Sequence, residues 1–212
     1  MFFFPSHACR VCFPHELRSL SQNEVNAVAW DPTGTLLASC SDDRTARIWN
    51  PSKGGDGDVD MEDKNGQQSG AEPSDGLLHE FTEHTLTVYD LSWAPQSRGA
   101  QLATASWDGT VRLWDAEMGR CISTLGKHTG AVYSVAYSPY YSMVASGAHD
   151  QHVRVWSARD GSLVRSVKCG AGVFKVGWSK DGGKVVATLA DSTALVVNLR
   201  HSNSTQSGGP TS

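Results

Sequence analysis

The sequence lacks an apolar run long enough to span a membrane, and so it does not predict a transmembrane protein. Its apolar start, Met1–Phe4, stops at Pro5 and has no charged region before it, which argues against a secretory signal peptide. Positive charge is also scarce, because 18 Lys and Arg stand against 22 Asp and Glu, for a net charge of −4. Without a basic excess, the composition gives no indication of direct nucleic-acid binding.

Cysteine usage argues against a disulfide-stabilised scaffold. The chain has five cysteines, an odd number without the spacing of a disulfide framework, and we expect a reducing compartment. Cys9 and Cys12, with His7 and His15 beside them, have the spacing of zinc ligands, but no second ligand pair follows. We therefore expect no metal and no cofactor, and an irregular N-terminal segment over residues 1–15.

The most informative stretch, Leu102–Asp115 (LATASWDGTVRLWD), predicts a β-hairpin. Its two halves are β-prone, and Asp108-Gly109 between them is a strong hairpin signal. The pattern recurs at residues 36–50, 143–157 and 185–199, each time with a tryptophan or valine six residues after the turn aspartate. These pairs are Asp43 and Trp49, Asp108 and Trp114, Asp150 and Trp156, and Asp191 and Val197.

Each hairpin is preceded by a strand with period-two alternation, which we call the inner strand. Inner strands are predicted at residues 25–30, 88–93, 132–137 and 173–178. Outer strands are predicted at residues 17–20, 77–81, 121–125 and 163–167. The turn aspartates Asp108, Asp150 and Asp191 follow one another after 42 and 41 residues, a repeat length typical of four-stranded propeller blades.

The motifs on these strands resemble those of WD-repeat proteins. More narrowly, they are similar to the C-terminal blades of the transducin-beta-like (F-box-like/WD-repeat) corepressor subunits. The stretches that carry the resemblance are 24–43, 106–115, 128–139 and 172–178. It implies an all-β fold, a WD-repeat β-propeller with four recognisable blades over residues 16–200, fewer than this family usually has. We therefore expect a partial propeller with exposed blade faces at both ends, and the alternative is that residues 17–20 complete the fourth blade as its outer strand and close a small ring.

Two segments fall outside the repeat pattern. Residues 51–76 are rich in Gly, Asp and Ser and carry seven acidic against two basic residues, which predicts a disordered acidic insert. An acidic contact segment is the alternative interpretation of this insert. Residues 201–212 are polar and rich in Gly, Ser and Thr, and they predict a disordered tail.

Two sets of His, Ser or Thr, and Asp residues look like hydrolase triads. They are His84, Thr104 and Asp108 in one blade, and His128, Ser146 and Asp150 in the next. The resemblance instead implies a structural network that each strand tryptophan, Trp114 or Trp156, completes. A nucleophile repeated in successive blades would be unusual, and the chain has no G-x-S-x-G motif. We therefore expect no enzymatic activity, and a propeller-based enzyme remains the alternative.

The network is incomplete in the end blades, which we expect to be looser. The first blade has Ser21 at the histidine position, and the last has Cys169 there and Val197 at the tryptophan position.

Three arginines stand two residues before the strand tryptophans and are expected to stack within blade interfaces. They are Arg47, Arg112 and Arg154.

Recognition by exposed side chains is the favoured function. The resemblance implies that two kinds of position line the partner-binding face, the residue five after each histidine position and the residue before each turn aspartate. The first kind holds Asn26, Tyr89, Tyr133 and Phe174, and the second holds Asp42, Trp107, His149 and Ala190. Aromatic side chains suit this face because they dominate the binding energy of many protein interfaces.

The resemblance implies a non-enzymatic scaffold in a nuclear transcriptional corepressor and histone-deacetylase complex. Its partners would be corepressor subunits, histone tails or other peptides. A substrate-receptor subunit of a ubiquitin ligase is the alternative scaffold, and a cytoplasmic location is the alternative to the nucleus. Fold alone does not decide between these functions.

Overall fold

The computed structural model describes residues 23–53, 76–95, 100–140 and 142–199, and in these ranges the chain is all-β. Its strands form four antiparallel sheets. No helix in these ranges is long and apolar enough to cross a membrane. Four predicted features lie outside the described residues: the segment 1–15, the strand 17–20, residues 54–75 of the acidic insert, and the tail 201–212.

Each sheet is one blade, with its strands placed in chain order from the inner edge outward. Blade 1 consists of β1 (Val25–Trp30), β2 (Leu37–Ser41), β3 (Ala46–Trp49) and β4 (Leu77–Phe81). Blade 2 consists of β5 (Val88–Trp93), β6 (Gln101–Ser106), β7 (Val111–Asp115) and β8 (Arg120–Leu125). Blade 3 consists of β9 (Val132–Tyr137), β10 (Met143–Ala148), β11 (His152–Ser157) and β12 (Leu163–Lys168). Blade 4 consists, within the described ranges, of β13 (Val173–Trp178), β14 (Lys184–Leu189) and β15 (Ala194–Asn198).

The turns between the second and third strands share one construction. The carboxylate of each turn aspartate accepts a hydrogen bond from the backbone N–H two residues later, at 2.9–3.1 Å. The residue after each aspartate has a positive φ, 83° for Gly109 but also 74° for Arg44, 66° for Gln151 and 68° for Ser192. The aspartate cap therefore holds the left-handed conformation even where glycine is missing, as in three-residue hairpin loops with a left-handed third residue.

The hydrophobic core lies between neighbouring blades. Because successive strand residues point to opposite faces, each blade presents one apolar face to the blade before it and one to the blade after it. Phe81 of blade 1 stacks on Trp114 of blade 2 with ring centroids 4.3 Å apart, and Trp156 lies in the cluster between blades 2 and 3. Full burial of one such side chain contributes about 1.5–3 kcal/mol or more. These interfaces are what fix the blades relative to one another.

Within the described residues, apolar side chains are exposed at both ends of the blade array, as expected of the predicted partial propeller. Val28 and Trp30 of blade 1 are each 46% exposed, whereas their counterparts in blade 2, Leu91 and Trp93, are 6% and 8% exposed against blade 1. At the other end, Val196 of blade 4 is 61% exposed. The side chains that would pack against further blades are therefore partly in water.

Candidate functional site

A β-bulge at the second residue of every inner strand shapes the candidate site. In blade 2, Val88 pairs with Ser106 and Asp90 pairs with Ala105, so that Tyr89 has no partner in the ladder. The same register shift occurs in the other three blades, at the residues that the resemblance assigns to the binding face. They are Asn26, Tyr133 and Phe174. A bulge turns its extra residue out of the regular alternation, and bulges are common beside functional sites.

Four aromatic side chains from three blades meet on one face, and we call them the aromatic patch: Tyr89, Trp107, Tyr133 and Phe174. Tyr89 stacks on Trp107 with centroids 5.9 Å apart, and Tyr133 meets the ring of Tyr89 edge-on at 5.4 Å. Tyr133 also contacts Trp107 at 6.1 Å and Phe174 at 5.6 Å, both edge-on. Offset and edge-to-face contacts at these distances are the favourable geometries for aromatic pairs.

The aromatic patch is both exposed and held in place. Trp107 is 42% exposed and Phe174 is 51% exposed, although large rings usually lose most of their surface to a core. The backbone N–H of Trp107 donates to the carbonyl of Thr87 at 3.0 Å, which fixes the turn that carries the ring. The patch is therefore a preformed apolar surface that a partner can cover.

The remaining two predicted contact residues occupy different surroundings. His149 is exposed on the equivalent turn of blade 3, and its backbone N–H donates to Ala131, but its ring makes no aromatic contact within the described residues. Asp42 is half-buried and accepts a hydrogen bond from Asn26 Nδ2 at 2.8 Å. Asn26 also donates to the carbonyl of Val88 at 3.0 Å. Blade 1 therefore contributes a polar link to blade 2 instead of a further ring.

A buried carboxylate beside the aromatic patch is not singled out by the sequence pattern. Asp90 follows Tyr89, and its Oδ2 accepts hydrogen bonds from Ser134 Oγ at 2.8 Å and from the backbone N–H of Val135 at 3.1 Å. The same oxygen lies 2.8 Å from Lys175 Nζ. A single aspartate in a strand does not by itself indicate a functional role. Only the alignment of the inner strands shows that Asp90, Ser134 and Lys175 occupy equivalent positions in neighbouring blades.

The first triad-like set forms a continuous hydrogen-bonded chain in blade 2. His84 Nδ1 lies 2.9 Å from Asp108 Oδ2, and His84 Nε2 lies 2.7 Å from Thr104 Oγ1. Trp114 Nε1 donates to the same Thr104 oxygen at 2.8 Å. With the histidine proton assigned to Nδ1, the chain runs from Trp114 through the Thr104 hydroxyl to His84 and on to Asp108.

Burial determines what this chain can do chemically. Thr104 and Trp114 are fully buried, and the pocket beside His84 is lined by residues 43–45 and 82–85, without Thr104. A nucleophile needs an exposed oxygen, whereas this hydroxyl is enclosed and already accepts the indole N–H. Burial alone would raise the pKa of Asp108, but hydrogen bonds from His84 and Thr110 hold it well below its usual range.

Blade 3 repeats the arrangement with serine in place of threonine. Both Asp150 oxygens lie 3.0 Å from His128 Nδ1, and Ser146 Oγ lies 2.8 Å from His128 Nε2 and from Trp156 Nε1. Burial lowers the pKa of His128 to about 4 and outweighs the opposite effect of Asp150, with Arg154 adding to the lowering. His128 is therefore neutral near pH 7.

The end blades keep only parts of this network. In blade 1, Trp49 Nε1 donates to Ser39 Oγ at 3.0 Å. In blade 4, Ala187 and Val197 occupy the hydroxyl and tryptophan positions, so that neither the donor nor the acceptor of that hydrogen bond is present.

The predicted stacking of the three arginines is correct for one of them. Arg112 lies over the Trp114 ring at 5.9 Å from its centroid. The prediction is wrong for Arg47 and Arg154, which form ion pairs instead. Arg47 pairs with Glu80 at 2.6 Å and with the turn aspartate Asp43 at 3.1 Å, and Arg154 pairs with the turn aspartate Asp150 at 2.6 Å. A charge-assisted hydrogen bond at the hairpin end is stronger than stacking on the neighbouring indole.

Within the described residues, no three His, Cys, Asp or Glu side chains are grouped to hold a metal ion. The three cysteines in these ranges, Cys40, Cys121 and Cys169, are free thiols. Cys40 is buried in β2, and burial raises the pKa of its thiol far above the usual range. A buried protonated thiol of this kind is unreactive.

Comparison with known proteins identifies the repeat and several relatives. The family model described as "WD domain, G-beta repeat" matches residues 9–50, 76–115 and 119–157, together more than half of the chain. The WD40 repeat-containing protein HOS15 of Arabidopsis thaliana is 38% identical over 84% of this chain and 27% of its own length. The F-box-like/WD repeat-containing protein TBL1X of Mus musculus is 38% identical over 92% of this chain and 34% of its own length. THO complex subunit 3 of Arabidopsis thaliana is 31% identical over 84% of this chain and 50% of its own length. The chain therefore spans about a quarter to a half of the length of these relatives.

Proposed function

Because the chain belongs to the family of WD domain, G-beta repeat proteins, we propose that it is a non-enzymatic scaffold that binds peptide segments of partner proteins on the aromatic patch. The observation that carries this proposal is the mutual contact of four partly exposed rings contributed by three successive blades. Rings in contact lose little conformational freedom when a partner covers them, so that most of their buried area contributes to affinity.

The polar surroundings of the aromatic patch suit a peptide ligand better than a small apolar molecule. His149 is exposed on the next turn, and Asp42 and Asn26 lie at the blade 1 end. An apolar centre with polar groups at its margin is the usual arrangement of a protein interface. We propose that His149 and Asp42 contact the ends of a bound segment while the rings take one large side chain.

The finer assignment is a subunit of a nuclear transcriptional corepressor and histone-deacetylase complex, with histone tails or corepressor peptides as ligands. Two observations support it, the similarity to TBL1X of mouse and a 38% identity to F-box-like/WD repeat-containing protein TBL1Y of Homo sapiens. Other relatives are named for a THO complex and for ribosome biogenesis. Scaffolding is therefore better supported than membership of one particular complex.

An array of histone-tail and corepressor peptides tests the proposal. We expect wild-type protein to bind a subset of the array, and Trp107→Ala to lose that subset while keeping its far-ultraviolet circular dichroism spectrum. Tyr140→Ala is the matched control, because Tyr140 is 70% exposed but lies on the turn at the other end of β9. Equal binding by Trp107→Ala and Tyr140→Ala would remove the aromatic patch as the binding site.

A further inference from the structure

One carboxylate beside the aromatic patch joins three blades. Asp90 belongs to β5 of blade 2, and its Oδ2 receives two hydrogen bonds from β9 of blade 3, from Ser134 Oγ and the Val135 N–H. Lys175 reaches the same oxygen from β13 of blade 4, at 2.8 Å. Ser134 in turn accepts the backbone N–H of Val176 at 3.2 Å, which closes the connection between blades 3 and 4.

Each side chain of this polar cluster follows a ring of the aromatic patch in sequence. Tyr89 precedes Asp90, Tyr133 precedes Ser134, and Phe174 precedes Lys175. The three rings are the bulge residues of their strands, and each polar residue is the next residue along the same backbone. A shift of any inner strand therefore moves a ring and a polar contact together.

Blade 1 has neither a residue of the polar cluster nor a ring of the aromatic patch. Ala27 occupies the position of Asp90, Ser134 and Lys175, and it has no side-chain acceptor for the next blade. The bulge residue of that strand, Asn26, is not aromatic and binds Asp42 and the Val88 carbonyl instead. The polar cluster and the rings thus occur in the same three blades.

We propose that Asp90 and Lys175 are positioning residues that fix β5, β9 and β13 relative to one another and thereby preassemble the aromatic patch for its ligand. Asp90 has the larger share, because it is buried and receives three donors, whereas the Lys175 side chain is 63% exposed. The inference rests on the proposed peptide-binding function, but the arrangement of the rings can be measured without a peptide.

Near-ultraviolet circular dichroism of the full chain is sensitive to this arrangement, since the Tyr89, Trp107 and Tyr133 rings lie within 6.1 Å of one another. We expect Asp90→Asn, which keeps shape and removes charge, to change this spectrum well below the melting temperature. Lys175→Met should change it less, and Lys175→Arg should restore it. Lys184→Met is the control, because Lys184 is exposed on β14 of the same blade and its loss changes the net charge equally.

Affinity for a peptide found on the array is the second readout. We expect about a tenfold loss for Asp90→Asn, a smaller loss for Lys175→Met and none for Lys175→Arg or Lys184→Met, because a patch that must order on binding binds more weakly. If Asp90→Asn fails to fold, the Lys175 series carries the test by itself.

Unchanged spectra and unchanged affinities in both Asp90→Asn and Lys175→Met would overturn the positioning role. A lower melting temperature with a wild-type ring spectrum would also overturn it, since that outcome describes a purely structural contact. If no peptide binds wild-type protein while the spectra change as expected, the proposed function fails and the positioning of the rings stands.

Discussion

The substitution Thr104→Val tests whether the His-Thr-Asp-Trp chain of blade 2 stabilises the fold. Valine has nearly the shape of threonine, so that the change removes a hydroxyl without opening a cavity. Two buried groups then lose their partner, the Trp114 Nε1–H at 2.8 Å and the His84 Nε2 at 2.7 Å. Each unsatisfied buried polar group costs about 1–3 kcal/mol, so that we expect a loss of about 2–6 kcal/mol in the free energy of unfolding.

Two further substitutions serve as controls for this prediction. Thr104→Ser keeps the hydroxyl, as in Ser146 of blade 3, and should cost only about 1 kcal/mol for the lost methyl group. Ser39→Ala leaves only the Trp49 indole without its partner and should cost about half as much as Thr104→Val.

Urea denaturation followed by tryptophan fluorescence measures these differences from the shift in midpoint at constant slope. Hydrogen exchange of β6 and β7 should show the loss concentrated in blade 2, because neighbouring blades interact only through their interfaces. If Thr104→Val were no less stable than Thr104→Ser, the hydrogen bonds from Trp114 through Thr104 to His84 would contribute nothing to stability, and their structural role would be refuted.

Three further predictions concern pH, the open ends and the insert. The pKa of His128 is about 4 in the folded protein and about 6.5 in the unfolded chain. Neutral His128 therefore contributes fully to stability above pH 6.5, and this contribution is lost as the pH falls towards 4, by about 3 kcal/mol at most. The unfolding midpoint should accordingly fall with decreasing pH over this range, and His128→Gln should make the decrease smaller. The exposed Val28 and Trp30 should cause concentration-dependent association that Val28→Lys reduces in light scattering, whereas a monomer at every concentration would contradict it. Replacing residues 54–75 by a short Gly/Ser link should leave the melting temperature nearly unchanged, because loop length has a small entropic effect, and a large drop would show that the insert packs on the blades.

The sequence predicts the strands well because their signals are local. The alternation in β1, β5, β9 and β13 and the apolar residues of β4 give the observed bounds. The turn aspartates are equally local, since each one caps a backbone N–H two residues away. The face on which Tyr89, Trp107, Tyr133 and Phe174 meet could be predicted from the repeat alignment, although their role in binding stays a prediction.

The features that sequence reasoning misses depend on contacts between blades. Asp90 becomes significant only when Lys175, 85 residues later, lies on the same oxygen. The bulge at Tyr89 is a shift of one residue in the register between β5 and β6, and the alternation of apolar and polar residues along β5 does not specify such a shift. The ion pairs of Arg47 and Arg154 are not evident from the spacing to the strand tryptophans, because each pair depends on an acidic side chain that the folded hairpin or the neighbouring strand brings close.

The most direct test of peptide recognition by the aromatic patch is the affinity of one array-selected peptide, measured by calorimetry for wild type, Trp107→Ala and Tyr140→Ala. Truncation of a central aromatic anchor typically costs about 2 kcal/mol or more, which corresponds to about a thirtyfold weaker Kd for Trp107→Ala. Tyr140→Ala should bind as wild type does. Binding of the peptide with the same Kd by all three proteins, each with an intact fold, would contradict recognition by the aromatic patch.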